Sequence, residues 1–119
     1  MLFCFVLATV PSAVDASSVI LTSGQTNITI TWQEPDPRNG PITDYTIQYR
    51  NAGPAGETTD GEWISSSTNS GDITTLSIVD LMPSSYYDLR VAAWTEKGQG
   101  AFSTVNQTNT GIASKYTLQ

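Results

Sequence analysis

Residues 27–33 read NITITWQ, and the alternation of apolar and polar side chains in this stretch decides the fold class. In an extended chain, Ile28, Ile30 and Trp32 point to one side, and the polar residues between them point to the other. A strand with one buried face has this period of two, whereas a helix with one buried face repeats every 3.6 residues. The stretch therefore predicts a strand whose buried face ends in a large aromatic side chain.

The same period of two recurs at six other places in the chain. The clearest are residues 44–50 and 87–94, and shorter candidates are residues 17–21, 63–66, 74–78 and 102–108. Clusters of Gly, Pro, Asn and Asp separate these segments, as expected for turns, and no long amphipathic helix is predicted. Seven short alternating strands predict an all-β fold, a seven-stranded, immunoglobulin-like Greek-key β-sandwich.

Length and charge limit the classes of function. The chain has 119 residues and a mass of 12.8 kDa, which is enough for one domain. Five Lys and Arg residues stand against 11 Asp and Glu residues, which gives a formal net charge of −6. Nucleic-acid binding and docking on an anionic membrane both require a basic patch, so we expect neither. No stretch in residues 11–119 approaches the ~20 apolar residues of a membrane span, so we expect no membrane insertion by the domain itself.

The chain lacks the usual residues of catalysis and metal binding. It has no His and a single Cys, Cys4, so neither an intrachain disulfide nor a His- or Cys-based metal site can form. Glu34, Asp36 and Asp44 are conceivable calcium ligands, but they lack the spacing of a known calcium loop and are expected to be solvated. We therefore expect no enzymatic activity, no cofactor and no metal site.

The N-terminal residues 1–13 differ in composition from the rest of the chain. An apolar run is followed by small residues, which is typical of a secretory signal peptide. A signal peptide usually has a positively charged residue before its apolar run, and no Lys or Arg precedes this one. The alternative interpretation is therefore that residues 1–13 are a truncated upstream segment. We expect the domain itself to cover residues 14–110, with a loose C-terminal tail over residues 111–119.

Several residues, taken in order, resemble one known family. Pro11 precedes the first strand, Trp32 ends the second, and Pro35 follows it closely. Leu81, Pro83 and Tyr87 have the spacing Leu-x-Pro-x-x-x-Tyr, and Gly98 and Gly100 precede the last strand. Together these marks resemble the fibronectin type III domain over about residues 11–110. The resemblance implies the sandwich topology of that family, although the integrin-binding tripeptide Arg-Gly-Asp is absent.

The predicted core consists of the large inward side chains of both sheets and of one corner. A thin sandwich needs such groups to fill its middle layer, and the Tyr87 hydroxyl can bond to the backbone of the corner that contains Leu81 and Pro83. The residues that we expect in this structural role are Trp32, Tyr45, Ile47, Leu81, Pro83, Tyr87, Leu89 and Val91.

Two surfaces are candidates for contact with a partner. In this topology the loops at residues 35–41, 67–72 and 95–100 gather at one pole, where the expected contact residues are Arg38, Asn39, Lys97 and Gln99. The second surface is the outer face of a sheet, where strand parity points Trp94 away from the core. The alternative is that Trp63 or another long side chain covers Trp94 within the domain.

The sequence contains two acceptor motifs for N-glycosylation. They begin at Asn27 and at Asn106, and each has the form Asn-x-Thr. We expect both asparagine side chains to point outward, because Asn27 has the opposite parity to Ile28 and the last strand has one solvated face.

These observations predict a non-catalytic, extracellular protein-binding or spacer module, a fragment of a multi-domain adhesion or receptor-type protein. Its partners would be neighbouring domains or an extracellular protein ligand. The alternative is an accessory spacer of a secreted carbohydrate-active enzyme, and flanking sequence would separate the two. A free-standing catalyst is disfavoured because the chain lacks His and a usable Cys.

Overall fold

The computed structural model describes residues 9–57 and 61–111. In these ranges the chain forms one 3₁₀ helix, Ala16–Ser18, and eight strands. The strands are β1 (Ile20–Ser23), β2 (Ile28–Thr31), β3 (Asp44–Gly53), β4 (Ile64–Ser67), β5 (Thr75–Ile78), β6 (Tyr86–Thr95), β7 (Gly98–Gln99) and β8 (Asn106–Asn109). No helix in the described ranges is long and apolar enough to cross a membrane.

The strands form two sheets that enclose one core. The first sheet has the order β1-β2-β5, and the second has the order β4-β3-β6, with β7 and β8 pairing with opposite ends of β6. Every pairing is antiparallel. The inward residues of the two sheets pack into a single buried cluster. The predicted all-β sandwich is therefore confirmed.

The last predicted strand, residues 102–108, is a strand only from Asn106 onward, and the loop predicted at residues 95–100 contains the short strand β7. β7 ends at Gln99, and β8 begins only at Asn106. Between them, Ser103 N donates to Val91 O at 2.9 Å, and Val91 N donates to Ser103 Oγ at 3.1 Å. A side-chain hydroxyl thus takes the hydrogen bond that a backbone carbonyl accepts in a regular ladder, and the strand is interrupted there.

The first strand begins later than the predicted residues 17–21. Asp15 caps the 3₁₀ helix, because its Oδ1 accepts hydrogen bonds from Ser17 N and Ser17 Oγ, both at 2.9 Å. Ser18 N also donates to Asp15 O at 2.9 Å. Local side-chain bonds of this kind compete with an extended backbone, so β1 starts at Ile20.

The centre of the core is an aromatic contact between the sheets. The rings of Trp32 and Tyr45 meet edge to face, with centroids 5.1 Å apart and planes at 64°. Of the residues expected in the core, those that are buried are Trp32, Tyr45, Ile47, Leu81, Tyr87, Leu89 and Val91. Pro83 differs, because it lies in the turn before β6 and is only half-buried.

A hydrogen bond to the Tyr87 hydroxyl holds the corner between β5 and β6. Met82 N donates to the Tyr87 hydroxyl at 2.9 Å, and Leu81 plugs the core beside it. Thr110 Oγ1 donates to Met82 O at 2.6 Å and accepts from Ser85 N at 3.0 Å. The corner is thereby tied both to β6 and to the residue that follows β8.

The C-terminal end of the domain is held more firmly than expected. Gly111, the first residue of the expected loose tail, donates its N–H to Gly24 O at 2.7 Å and accepts from Ser84 N at 2.8 Å. Gly111 is therefore bound to the domain through both of its backbone polar groups. The remainder of the expected tail, residues 112–119, lies outside the described residues.

Changing Tyr87 to Phe removes the corner bond and keeps the ring. We expect the free energy of unfolding to fall by about 1 kcal/mol, the net value of one hydrogen bond, with the sandwich intact. Urea denaturation with circular dichroism measures this. Tyr86→Phe is the control, because it removes a hydroxyl from the neighbouring residue of β6 and leaves the bond between Met82 and Tyr87 in place. A Tyr87→Phe domain as stable as the wild type would contradict the role of the corner bond.

Candidate functional site

The strand register brings three loops to one end of the sandwich. The end of β2 lies beside the start of β5, where Thr31 is opposite Thr75. The start of β3 lies beside the end of β6, where Asp44 is opposite Trp94. The end of β4 also lies near the start of β3, where Ser67 is opposite Thr46. The loops at residues 32–43, 68–74 and 96–97 therefore meet at one end, which we call the loop pole.

Asp44 organises the loop between β4 and β5. Its Oδ1 accepts hydrogen bonds from Tyr45 N at 2.7 Å, from Ser67 Oγ at 2.7 Å and from Asn69 N at 2.9 Å. The carboxylate that was a conceivable calcium ligand is thus engaged by the protein's own donors. In the described ranges, no three His, Cys, Asp or Glu residues form a group that could hold a metal ion.

The described part of the N-terminal segment, residues 9–12, lies between the loop after β2 and the end of β6. Thr9 N donates to Asn39 O at 2.8 Å, and Asn39 Nδ2 donates to Val10 O at 3.0 Å. Thr95 Oγ1 donates to Thr9 O at 2.6 Å. A Cβ on Gly100 would overlap Pro11 O, so only glycine permits this approach. We call residues 9–12 the strap.

Two predictions from the sequence concern residues that lie in the strap or bind it. Asn39 was expected to contact a partner, and its side chain instead binds the chain's own backbone. The predicted signal peptide covers residues 1–13. Residues 1–8 of it are outside the part of the chain that the structure describes. Residues 9–12 pack on the domain, and Ser12 Oγ donates to Pro37 O at 2.7 Å.

Three other expected contact residues stay accessible to different degrees. Arg38 is exposed and forms one ion pair with Glu34 at 3.8 Å, a surface pair that contributes little to stability. Lys97 is exposed at the turn after β6. Gln99 is half-buried on β7, opposite Trp94. Arg38 and Lys97 are therefore the accessible cationic side chains of the loop pole.

Alternating cations and aromatic rings cover the outer face of the second sheet. The guanidinium carbons of Arg50 and Arg90 each lie 4.2 Å from the centre of the Trp63 ring. Arg90 also lies 4.4 Å from the centre of the Phe102 ring. These are cation–π distances, and we call the four residues the cation–aromatic stack.

Buried polar partners complete the stack. Asp88, only 5% exposed, accepts from Arg50 Nε at 3.1 Å and from Gln107 Nε2 at 2.7 Å. Gln48 Oε1 accepts from Arg90 Nε at 2.9 Å and from Arg90 Nη2 at 2.6 Å. Burial lowers the pKa of Arg90, and the charge of nearby Arg50 lowers it further. The polar groups of this face are thus bound chiefly to one another.

Trp94 lies on the same outer face, as strand parity indicates. It is half-buried, and its Nε1 donates to Thr46 Oγ1 at 2.8 Å. Trp63, which was one candidate to cover Trp94, lies instead over Arg50 and Arg90. Part of the Trp94 ring therefore remains accessible beside the loop pole.

The two glycosylation motifs have different surroundings. Asn27 is exposed just before β2. Asn106 pairs with Leu89, so it shares the core-facing side, and its Oδ1 is buried without a hydrogen-bond partner among the described residues. The expectation that Asn106 points outward is wrong, because the register of β8 makes Gln107 the outward residue, where it reaches Asp88.

Comparisons with known proteins agree with this architecture. The family model of the fibronectin type III domain matches residues 12–109. Ephrin type-A receptor 8 of Mus musculus is 35% identical over 89 residues, which are 75% of this chain and 8% of the receptor. Tyrosine-protein phosphatase Lar of Drosophila melanogaster is 32% identical over 85 residues, which are 71% of this chain and 4% of the phosphatase.

A solved structure from the second of these proteins has the same fold. The crystal structure of the FN5 domain of Drosophila Lar matches with a TM-score of 0.61 and 24% identity, and the match covers 86% of this chain and 98% of that domain. The chain spans less than a tenth of either curated relative. With a family model that covers most of its length and a sandwich of the same fold, this chain belongs to the fibronectin type III domain family.

Proposed function

We propose that this chain is a non-catalytic protein-binding or spacer module in the extracellular part of a larger, receptor-type protein. The observation that carries the proposal is that both ends of the described domain are fixed by hydrogen bonds, at opposite poles. Its similarity to short portions of a receptor and of a much longer phosphatase supports the same role.

The two ends suit a domain that is linked in series. The strap enters at the loop pole, where it bonds to Asn39 and Thr95. Gly111 leaves at the other pole, where it bonds to Gly24 and Ser84. Because the two ends lie at opposite poles, the sandwich between them would hold the preceding and following segments apart as a compact spacer.

The loop pole is better suited than the outer face of the second sheet to bind a partner. The charged groups of that outer face are bound within the cation–aromatic stack. At the loop pole, Arg38 and Lys97 project from a scaffold that the strap and Asp44 hold in place. Loops held on a rigid scaffold are common binding sites, and a partner would have to match a mixed set of exposed charges, in which Arg38 and Lys97 stand beside the acidic residues Glu34, Asp36, Asp72 and Glu96.

The accessible side chains give no support to a catalytic role. Lys97 is exposed at a turn, whereas a nucleophilic lysine requires a site that excludes water. Asp44 and Asp88 are engaged by several donors each. The acidic groups most deeply placed in the domain therefore have structural partners.

Partner binding is tested by capture from the extracellular proteins of the source organism on the immobilised domain. We expect wild-type domain to retain a protein that the double variant Arg38→Ala, Lys97→Ala does not, because both cations of the loop pole are lost. Gln25→Ala, exposed at the opposite pole, is the control and should retain it. Mass spectrometry identifies the captured protein. No capture, or equal capture by the double variant, would contradict binding through the loop pole.

The stack is expected to contribute stability rather than binding. Trp63→Leu removes the ring between the two guanidinium groups and should lower the free energy of unfolding by about 2 kcal/mol, from two cation–π contacts and lost packing. Trp63→Phe keeps a ring and should recover about half of the loss. Urea denaturation measures both variants. Unchanged stability of Trp63→Leu together with lost partner capture would make the outer face the binding surface instead.

A further inference from the structure

The first sheet carries no charged residue in any of its strands. β1, β2 and β5 contain only aliphatic residues, Thr and Ser. The long strands of the second sheet, in contrast, carry Arg50, Asp88 and Arg90. The strands of the first sheet therefore present a neutral surface, although the chain as a whole has a net charge of −6.

The outer side of this sheet is an array of hydroxyl groups. Thr29 lies between Thr22 and Ser77 in one row, and Thr31 lies between Ile20 and Thr75 in the next. Within the rows, the Thr29 and Ser77 hydroxyls are 2.9 Å apart, and those of Thr31 and Thr75 are 3.0 Å apart. We call these six residues the hydroxyl face.

Exposed aliphatic groups lie at the hydroxyl face and beside it. Ile20 is 63% exposed within the face, and Val79 is 60% exposed just after β5. Val79 follows Ile78, which pairs with Ile28, so Val79 lies next to the position of Asn27. The surface thus combines hydroxyl groups with aliphatic side chains. A group that binds to the hydroxyl face would not have to remove water from a charged side chain of it.

Asn27 stands at the edge of the hydroxyl face. It lies two residues before Thr29, just outside β2, and its Oδ1 packs against Gly24, where a Cβ would overlap it. Its side chain is exposed, and its carbonyl accepts from Gly24 N at 2.8 Å, which fixes the turn before β2. From Asn27 to Thr31 the face extends roughly 13 Å at about 3.3 Å per residue, a length that a few sugar rings span.

We propose that Asn27, and not Asn106, carries an N-linked glycan whose first sugars lie over the hydroxyl face. The motif Asn27-Ile28-Thr29 supplies the acceptor, and the exposed side chain leaves room for the sugar. Asn106 is poorly suited, because its Oδ1 is buried on the core-facing side. The inference rests on the extracellular location in the proposed function.

The attachment is a glycosyl transfer from a lipid-diphosphate-linked oligosaccharide in the secretory pathway. A bond forms between Asn27 Nδ2 and the anomeric carbon of the first sugar, and the bond from that carbon to the diphosphate oxygen breaks. The amide nitrogen loses one proton, and the lipid diphosphate leaves with the electron pair. No oxidant or reductant takes part.

The site of attachment is tested with the full chain, secreted from cultured eukaryotic cells behind a cleavable leader peptide. Intact mass is measured before and after treatment with peptide N-glycosidase, which converts a glycosylated Asn to Asp. We expect one glycan in the wild type and in Asn106→Gln, and none in Asn27→Gln. An unmodified wild type, two glycans, or loss of the glycan in Asn106→Gln would each overturn the assignment.

The glycan experiment and the capture experiment test this inference and the proposed function separately. Because the added leader forces entry into the secretory pathway, the glycan result does not depend on where the native protein resides. Failure to capture an extracellular partner would count against the proposed function and leave the glycan assignment standing. A missing glycan would overturn the assignment and leave partner capture unaffected.

The position of the glycan is tested by amide hydrogen exchange on the secreted wild type and on Asn27→Gln. We expect the glycan to slow exchange in β1 and β5, which flank β2 and contribute four of the six residues of the hydroxyl face. β4, the edge strand of the other sheet, is the matched control and should not change. Equal exchange rates of β1 and β5 in the two proteins would overturn the placement.

Discussion

The edge-to-face contact between Trp32 and Tyr45 is the interaction on which the rest of the domain depends. The two rings come from opposite sheets and fill the layer between them, 5.1 Å apart. Burial raises the pKa of the Tyr45 phenol, and the charge of Glu34 raises it further, so the ring stays neutral in the core. Tyr45 N also donates to Asp44, the residue that holds the loop after β4. The core contact and the geometry of the loop pole are therefore set by adjacent residues.

The two outer faces of the sandwich present different kinds of side chain to solvent. The cation–aromatic stack covers the outer face of the second sheet. In it, Arg50 donates a hydrogen bond to Asp88, and Arg90 donates two to Gln48. The first sheet carries no charge and presents hydroxyls that bond to one another. One face is thus largely closed by its own side chains, while the other is neutral and open. The loop pole, with Arg38 and Lys97 exposed, is chemically distinct from both faces.

Much of the fold follows from local sequence, because β2, β3 and β6 alternate between apolar and polar residues and so reveal their buried sides. β8 (Asn106–Asn109) is polar on both sides, and its sequence gives no indication of parity, which is why the orientation of Asn106 was predicted wrongly. The strap and the stack join residues far apart in the chain, such as Thr9 with Thr95 and Trp63 with Arg90. Strand parity indicates that Arg50 faces outward, but it cannot indicate that Trp63 lies between two arginines.

The stability of Trp32→Ala tests most directly the claim that one aromatic contact closes the sandwich. Equilibrium urea unfolding, followed by circular dichroism, compares this variant with the wild type. A domain that loses about 3–5 kcal/mol, or that is already unfolded in buffer, agrees with the account, since a large core side chain has been replaced by a cavity. A folded variant within about 1 kcal/mol of the wild type would contradict it, because surface substitutions have effects of that size.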